Sequence, residues 1–318
     1  MATDQSAPSD RPLLSVVVAT TSAGGDFLAG CLDALERQCN APRMEVLVPV
    51  DTSIEGWQLL RERHPGTRFL TVEGTAALAA SADVGVAHLA IDRRRSAALA
   101  AARGEVVALT EERARPEAHW CRRLVEVHQG AEVAIGGAIE NANPRLINWA
   151  LYFFDAGRYQ NPLPEGPARY LSDLNVSYKR GALVEISEVW RESYHETGLH
   201  DALRAKGGGL ELRRDLVVSL DRGQVTLGTA LRERFAWARL FAGRRSREVP
   251  TWKRWLLAAG APLLTVVFPL RQARRVLARG SHLGAFLGAL PLLLLMALIW
   301  SAGELLGYAT GLPTKTNP

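Results

Sequence analysis

Polar side chains stand directly after three short apolar runs, and their types could hold a nucleotide and a metal ion. They are Thr20 after residues 13–19, Asp51 and Ser53 after residues 44–50, and Glu111 and Glu112 after residues 106–109. Hard divalent cations such as Mg²⁺ and Mn²⁺ take oxygen ligands and bridge phosphate oxygens, and carboxylates also accept hydrogen bonds from a ribose or a base. The pattern therefore indicates a nucleotide–metal site. The alternative is a set of ordinary polar strand ends.

The elements that would position these residues are strands alternating with helices. Leu13–Ala19 and Met44–Val50 are short, valine-rich runs typical of strands covered on both faces. Helical spacing is predicted over Asp26–Gln38 and over residues 93–104, and a further helix is predicted to open with Pro116 in its first turn. Repeated strand–helix–strand units predict an α/β fold with a mainly parallel sheet flanked by helices, in which ligands bind at the carboxyl ends of the strands.

Other nucleotide sites and one hydrolase site are excluded by the sequence. The first strand is followed by TTSAGGDF, which lacks the G-x-G-x-x-G of a dinucleotide fold. The chain has neither a G-x-x-x-x-G-K-[ST] phosphate loop nor the G-x-S-x-G elbow of an α/β-hydrolase. What remains is a nucleotide held by carboxylates and a metal, without a glycine-rich loop.

Five stretches in order resemble the family 2 glycosyltransferases of the GT-A fold, over about residues 14–245. They are LSVVVATTSAGGDFLAGCLDAL at the start, MEVLVPVDTS, RRRSAALAAARGEVVALTEERARPEAHW, DLNVSYKRGAL, and YHETGLHDALRAKGGGLEL. The third resembles the family's R-N-x-G-x-x-x-A-x-G-E stretch followed by a T-E-D-like variant of D-x-D. The resemblance implies an enzyme that transfers a sugar from a nucleotide-sugar donor with inversion, using Mg²⁺ or Mn²⁺.

The resemblance also implies roles for individual residues. Glu112 takes the place of the metal-binding aspartate, and Glu196 the place of the catalytic base, with His195 as the alternative base because its unperturbed pKa lies near neutrality. The implied donor-binding residues are Thr20, Asp51, Ser53, Arg95 and Glu111, and the acceptor-side residues are Asp173 and Asn175. Asp51 would bind the nucleoside, or otherwise only form a turn.

The sequence departs from the family pattern at several of these positions. Val50, Thr52, Ser96 and Ala98 replace the usual Asp, Gly, Asn and Gly, and no aspartate remains in the D-x-D equivalent. The second hypothesis is therefore a catalytically degenerate relative that serves as a membrane-anchored scaffold or regulatory protein, because a chain can keep its fold after its active site has degraded.

The C-terminal part of the chain reads as a membrane module. Arg232–Arg279 holds twelve Lys and Arg against two Glu, and it borders the apolar segments Trp255–Leu270 and Ala285–Tyr308. Basic residues beside apolar segments favour membrane lipids over nucleic acid as the partner. The second segment is long enough to span a bilayer, whereas the first is marginal and is predicted to be re-entrant or interfacial, two ordinary spans being the alternative.

The predicted organisation is a tail over residues 1–12, a GT-A domain over 13–245 and a membrane module over 246–318. Within the GT-A domain, residues 13–137 form the nucleotide-sugar half and 138–245 the acceptor half. The catalytic domain is expected to face the cytoplasm at the cytoplasmic membrane, with a lipid-linked or cell-surface glycan as the acceptor.

Overall fold

The structure is a computed structural model that describes residues 11–21, 25–51, 54 and 56–311. The strands are β1 Leu14–Ala19, β2 Met44–Val50, β3 Thr67–Thr71, β4 Val106–Glu111, β5 Ala114–Pro116, β6 Ala134–Asn141, β7 Gly166–Pro167, β8 Val176–Lys179 and β9 Leu210–Leu220. The helices are α1 Gly25–Glu36, α2 Trp57–Arg63, α3 Thr75–Ala79, α4 Val84–Ala101, α5 Trp120–Val127, α6 Leu146–Leu151, α7 Arg180–Glu185, α8 Ser187–Trp190, α9 Glu196–Ala205, α10 Leu227–Glu248, α11 Thr251–Gly260, α12 Leu264–Arg279 and α13 Leu283–Thr310.

All nine strands form one sheet, whose first half is parallel as predicted. The order is β3-β2-β1-β4-β8-β6-β9-β5, with β7 paired to β9. Strand β1 pairs in parallel with both β2 and β4, and every residue of β1 is buried. Strands β8 and β5 add antiparallel pairings beyond β4. The chain is a mixed α/β protein with helices against the sheet, which confirms the predicted fold class.

One predicted element is wrong in the structure. Pro116 does not open a helix, because it ends the short strand β5, in which Pro116 pairs with Val218 of β9. Helix α5 begins at Trp120 instead. Proline lacks an N–H, so it is tolerated both in the first turn of a helix and at the end of a strand. The local sequence therefore permits either structure at Pro116, and only the pairing with the distant strand β9 decides between them.

The described chain divides into two compact units. Unit 1 comprises Met1–Ser81, Val86–Glu140 and Asn161–Asp221, and unit 2 comprises Ala82–Gly85, Asn141–Gln160 and Arg222–Pro318. Unit 1 holds most of the sheet, with a core that includes Val17, Leu47 and Leu109. Helix α10 belongs to unit 2.

Unit 2 is built on the close approach of helices α10 and α13. A Cβ added at Gly303 would lie 2.7 Å from the Cβ of Ala238, and one added at Gly307 would lie 2.7 Å from the Cβ of Ala242. From the first pair to the second, the residue number rises by four on each helix, so the two helices run parallel. The G-x-x-x-G spacing places two glycines on one helix face, where only small residues let backbones approach this closely.

Two helical segments of unit 2 are long and apolar enough to cross a membrane. They are Thr251–Arg279, which is continuous through a short 3₁₀ turn, and Leu283–Thr310. Only 22% of the first apolar window and 28% of the second are buried within the protein. Exposed side chains such as Val266, Leu270 and Leu298 lie on these helices. The helices are thus not the buried core of a soluble domain.

Candidate active site

The predicted donor residues lie together at the carboxyl ends of three adjacent strands. In the order β2-β1-β4, Ala19 is the register partner of Glu111, and the Glu112 N–H donates to the Ala19 carbonyl at 3.0 Å. Parallel pairing brings the carboxyl ends of neighbouring strands to the same sheet edge. Ser53, and with it Thr52, lies outside the described residues.

Asp51 is buried in a charge pair that the sequence did not predict. Its carboxylate is only 3% exposed and forms an ion pair with Arg94 of α4, and it also accepts a hydrogen bond from the Thr75 hydroxyl. Arg94 donates in addition to the carbonyls of Thr20 and Thr21, at 3.1 and 3.3 Å. Arg94 therefore neutralises Asp51 and holds the end of β1 at the same time.

Arg95, the next residue, joins the predicted donor side to the predicted acceptor side. Its guanidinium is 1% exposed and lies 2.7 Å from Glu111, 2.8 Å from Asp173 and 3.4 Å from Asp92. Burial works against its charge, but Asp173 and Glu111 outweigh burial and raise the pKa of Arg95. Two carboxylates that lie far apart in sequence are thereby held side by side by one cation.

Glu112 offers the oxygen chemistry of a metal site but lies deep in unit 1. The side chain is fully buried, and its carboxylate accepts a hydrogen bond from the Thr21 hydroxyl. A carboxylate and a hydroxyl suit a hard cation, and Mg²⁺ commonly binds one or two carboxylates together with substrate phosphates and waters. The donor set fits such a cation, whereas the Glu111 carboxylate pairs with Arg95.

The two candidate bases stand at the start of α9 and differ in what they already bind. His195 is exposed and is the N-cap residue, because its Nδ1 accepts the Gly198 N–H at 3.2 Å. Glu196 is partly exposed, and its charge acts on the buried hydroxyls of Tyr178 and Tyr194. His195 thus has a structural role that occupies one ring nitrogen, whereas Glu196 belongs to the Arg95–Asp173 cluster through Tyr194.

A buried hydrogen-bonded chain lies beneath this cluster. The hydroxyls of Tyr194 and Tyr178 are 3.1 Å apart, and Tyr178 bonds the Nε2 of His200 at 3.0 Å. Burial, with the charges of Asp173 and Glu196, raises the pKa of both tyrosines well above the usual value. Burial lowers the pKa of His200 to about 4. Near pH 7 both tyrosines are protonated, and His200 is a buried and weak base, so none of the three competes as a general base.

Two predicted site residues have their polar groups engaged within the fold. Thr20 is fully buried and its hydroxyl donates to the Pro49 carbonyl at 2.6 Å. Asn175 accepts from the Trp120 indole at 3.0 Å and donates to the carbonyls of Ala138 and Leu216 at 2.8 and 3.0 Å. In this conformation Thr20 ties β1 to β2, and Asn175 ties β8 to its neighbours.

A second group with metal-ligand chemistry lies away from these strand ends. Asp33, Glu36 and His64 bring three ligand atoms within 4.8 Å of one another. His64 Nδ1 lies 2.6 Å from Glu36, while Arg63 pairs with Asp33 at 3.1 Å. Because α1 runs back from the end of β1 and His64 precedes β3, this group lies toward the amino ends of the strands.

Sequence reasoning missed Arg94, Thr75, Asp92 and Tyr194. Arg94 and Arg95 lie in the run of three arginines that was predicted to be helical, so a signal was present in the sequence. Three charges on consecutive helical positions point in different directions, and only the sheet decides which of them are buried. Nothing in the local sequence marks Thr75, which opens the five-residue helix α3.

Comparison with known proteins adds little to these observations. No protein-family model matches the chain. No curated protein matches it either. Among solved structures, the chain is similar to the mannosyltransferase PcManGT from Pyrobaculum calidifontis, which was solved in complex with GDP-Man and Mn²⁺. The two sequences are 17% identical, the match covers 94% of this chain and 88% of that chain, and the TM-score is 0.48. An overlap of this size does not define a family, so the function must be inferred from the chain's own residues.

Proposed function

We propose that the protein is an inverting glycosyltransferase of the family 2, GT-A type, which moves a sugar from a nucleotide-sugar to a lipid-linked or cell-surface glycan acceptor. The main observation in support of the proposal is that Arg95 forms ion pairs with both Glu111 and Asp173. It joins the strand end predicted to bind the donor to the region predicted to bind the acceptor. The ordered sequence resemblance over residues 14–245 supports the same reaction.

In this mechanism Glu196 is the general base. It accepts the proton of the acceptor hydroxyl as that oxygen forms a bond to the anomeric carbon, and the bond from this carbon to the nucleoside diphosphate breaks on the opposite face. Proton transfer to a positioned base typically contributes ~10²–10⁴-fold to the rate. Asp173 and Glu111, held by Arg95, are placed to bind sugar or ribose hydroxyls, because charged carboxylates are strong hydrogen-bond acceptors.

Glu112 is the residue that would hold a divalent cation. Such a cation supplies positive charge to the leaving diphosphate. The chain also contributes charge of its own, since Arg115 donates to the Glu112 carbonyl at 3.3 Å and Arg113 stacks over the ring of Phe27 at 4.7 Å. Both arginines are permanently charged and can form forked hydrogen bonds to phosphate.

We propose attachment to the cytoplasmic membrane through unit 2, with the catalytic part facing the cytoplasm. The exposed leucines and valines of α11–α13 support it, because so much apolar surface is rare on a soluble monomer. Helix α10 adds a constraint. It carries six arginines and lies against the second half of α13, so a full span by α13 would bring α10 toward the hydrocarbon. We therefore favour helices that lie within one leaflet.

One observation favours a second candidate function, a catalytically degenerate scaffold. Asp51, the proposed nucleoside-binding residue, already pairs with Arg94, accepts a hydrogen bond from Thr75 and is almost inaccessible. A closed pair in this place would leave a nucleoside without its carboxylate acceptor. The two functions differ in whether the chain binds a nucleotide at all.

Calorimetry with nucleoside diphosphates separates the two functions. The full chain in detergent is titrated with Mn²⁺, with Mg²⁺ or with EDTA, as wild type and as Glu112→Ala, with Glu117→Ala as the control for loss of an exposed carboxylate nearby. We expect metal-enhanced binding in wild type and in the control, lost in Glu112→Ala. Absence of binding for every diphosphate would favour the scaffold, and binding that neither EDTA nor Glu112→Ala alters would exclude Glu112 as the metal ligand. A panel of nucleotide-sugars then identifies the donor by hydrolysis.

A further inference from the structure

A cavity of unit 2 lies among the apolar C-terminal helices. Its volume is about 660 Å³, within the range of ~300–1,000 Å³ typical of ligand pockets. Its walls come from α10, α11, α12 and α13, and they include Leu257, Leu264 and Ala297. The cavity lies wholly in unit 2, so what it binds is independent of the proposed catalytic function.

The cavity is elongated, with different groups at its two ends. Trp300 and Tyr308 of α13 both line it, and eight residues of helix rise span about 12 Å. At one end Phe154 packs against Phe268 and Trp300, with ring centroids 4.4 and 5.5 Å apart. Tyr308 and Arg245 lie toward the other end, and Glu304 lies one helical turn from Trp300, between the two ends. An apolar chain can lie between these ends along the aliphatic wall.

The aromatic end carries the positive charge. Arg271 lies over the ring of Phe268 at 5.4 Å, and Arg234 lies over Phe154 at 5.6 Å. Asp155 at this end pairs with both Arg222 and Arg234. Glu233 lies 3.8 Å from Arg234. Arg275 acts electrostatically on Arg271 from the same helix, so cations outnumber carboxylates here.

Beyond Trp300 the cavity is lined by one carboxylate and one guanidinium, those of Glu304 and Arg245, and Arg254 donates to the Tyr308 carbonyl. Glu304 accepts a hydrogen bond from the Trp300 indole at 2.6 Å and lies near Arg245. The Tyr308 hydroxyl is buried without a hydrogen bond of ordinary geometry in the described part of the chain. A ligand with one anionic end is therefore favoured with that end beside Arg271 rather than beside Glu304.

We propose that this cavity binds one anionic membrane lipid, with an acyl chain along Leu264, Leu257 and Ala297 and the headgroup phosphate at Arg271. The exposed apolar faces of the surrounding helices provide the route, since they would place the cavity beside lipid chains. Arginine binds phosphate through paired N–H donors, which gives the headgroup preference. The bound lipid would then be a tightly held part of unit 2, distinct from the bulk bilayer.

The structure offers matched variants for a test. Gly260 lines the cavity, has ordinary helical backbone angles, and an added Cβ would meet no atom within 4 Å, so Gly260→Leu fills the cavity without a clash at the backbone. Gly284 has the same open surroundings on α13 but does not line the cavity, so Gly284→Leu is its control. Arg274→Gln controls for Arg271→Gln in the same way, since Arg274 is exposed on the same helix.

The experiment is native mass spectrometry of the full chain in detergent with added dioleoyl-phosphatidylglycerol or dioleoyl-phosphatidylcholine. We expect a one-to-one phosphatidylglycerol adduct in wild type, weakened about tenfold in Gly260→Leu but retained in Gly284→Leu. Arg271→Gln should remove the preference for phosphatidylglycerol, and Arg274→Gln should keep it. Equal binding by both glycine variants, equal binding of both lipids by wild type, or a protein dimer that Gly260→Leu abolishes would each overturn the proposal. Circular dichroism of every variant shows that it is folded.

Discussion

Two buried histidines of unit 1 should make the fold sensitive to mild acid. Burial, and then the charge of Lys179, lowers the pKa of His128 from 6.5 to about 4, and burial lowers that of His200 to the same value. His128 hydrogen-bonds the Ser177 hydroxyl at 2.8 Å, and His200 bonds Tyr178. Both side chains are therefore neutral in the folded protein at pH 5, whereas they are charged in the unfolded chain.

The magnitude follows from proton linkage. Between pH 6.5 and pH 4 the unfolded chain binds more protons than the folded one, so stability is lost as the pH falls through this window. One pKa unit corresponds to about 1.36 kcal/mol. Lowering the pH from 7 to 5 then costs about 2 kcal/mol for each histidine, or up to about 4 kcal/mol for the pair, which is a large part of the ~5–15 kcal/mol that stabilises a typical domain.

The assay is urea unfolding of the full chain in detergent at pH 8, 7 and 5, followed by tryptophan fluorescence. The comparison is between wild type and the double variant His128→Gln with His200→Gln, in which the glutamine amides can still bond Ser177 and Tyr178. The difference at pH 8, where neither histidine is charged in either state, measures the direct cost of the substitutions. We expect the pH-dependent loss to be about 4 kcal/mol smaller in the double variant. If wild type and the variant lose the same stability between pH 7 and pH 5, the reasoning is refuted.

Three further outcomes are expected. Glu196→Gln should retain donor binding and lose at least ~10²-fold in transfer rate, because the amide cannot accept the proton, and His195→Ala should lose less. If a donor-transfer assay shows the larger loss in His195→Ala, the histidine is the base. Gly303→Leu should destabilise unit 2 far more than Gly284→Leu, since a leucine at position 303 would clash with Ala238 and the Phe235 carbonyl. Equal melting temperatures of the two variants would contradict the close contact between α10 and α13. The full chain should stay with membranes in 1 M salt and be released by detergent, because apolar burial is not screened by ions; release by salt alone would indicate a purely electrostatic attachment.

The sequence by itself determined the parallel half of the sheet. Leu13–Ala19 and Met44–Val50 are short, mainly apolar and valine-rich runs, a pattern typical of strands covered on both faces, so they could be located without knowing their partners. The same logic placed Glu111 and Asp51 at one edge of the sheet, because parallel neighbours bring their carboxyl ends together. The apolar C-terminal helices were equally predictable from composition and length.

Only the tertiary structure decided how those residues are paired. Pro116 was assigned to a helix because its neighbours have helical spacing, but its strand partner Val218 lies about a hundred residues away. Arg94 and Arg95 look alike in the sequence, yet one neutralises Asp51 and the other joins Glu111 to Asp173. Local sequence fixes periodicity and charge, whereas the direction of a charged side chain depends on which elements pack above it. The electrostatics of the site is therefore a property of the assembled fold.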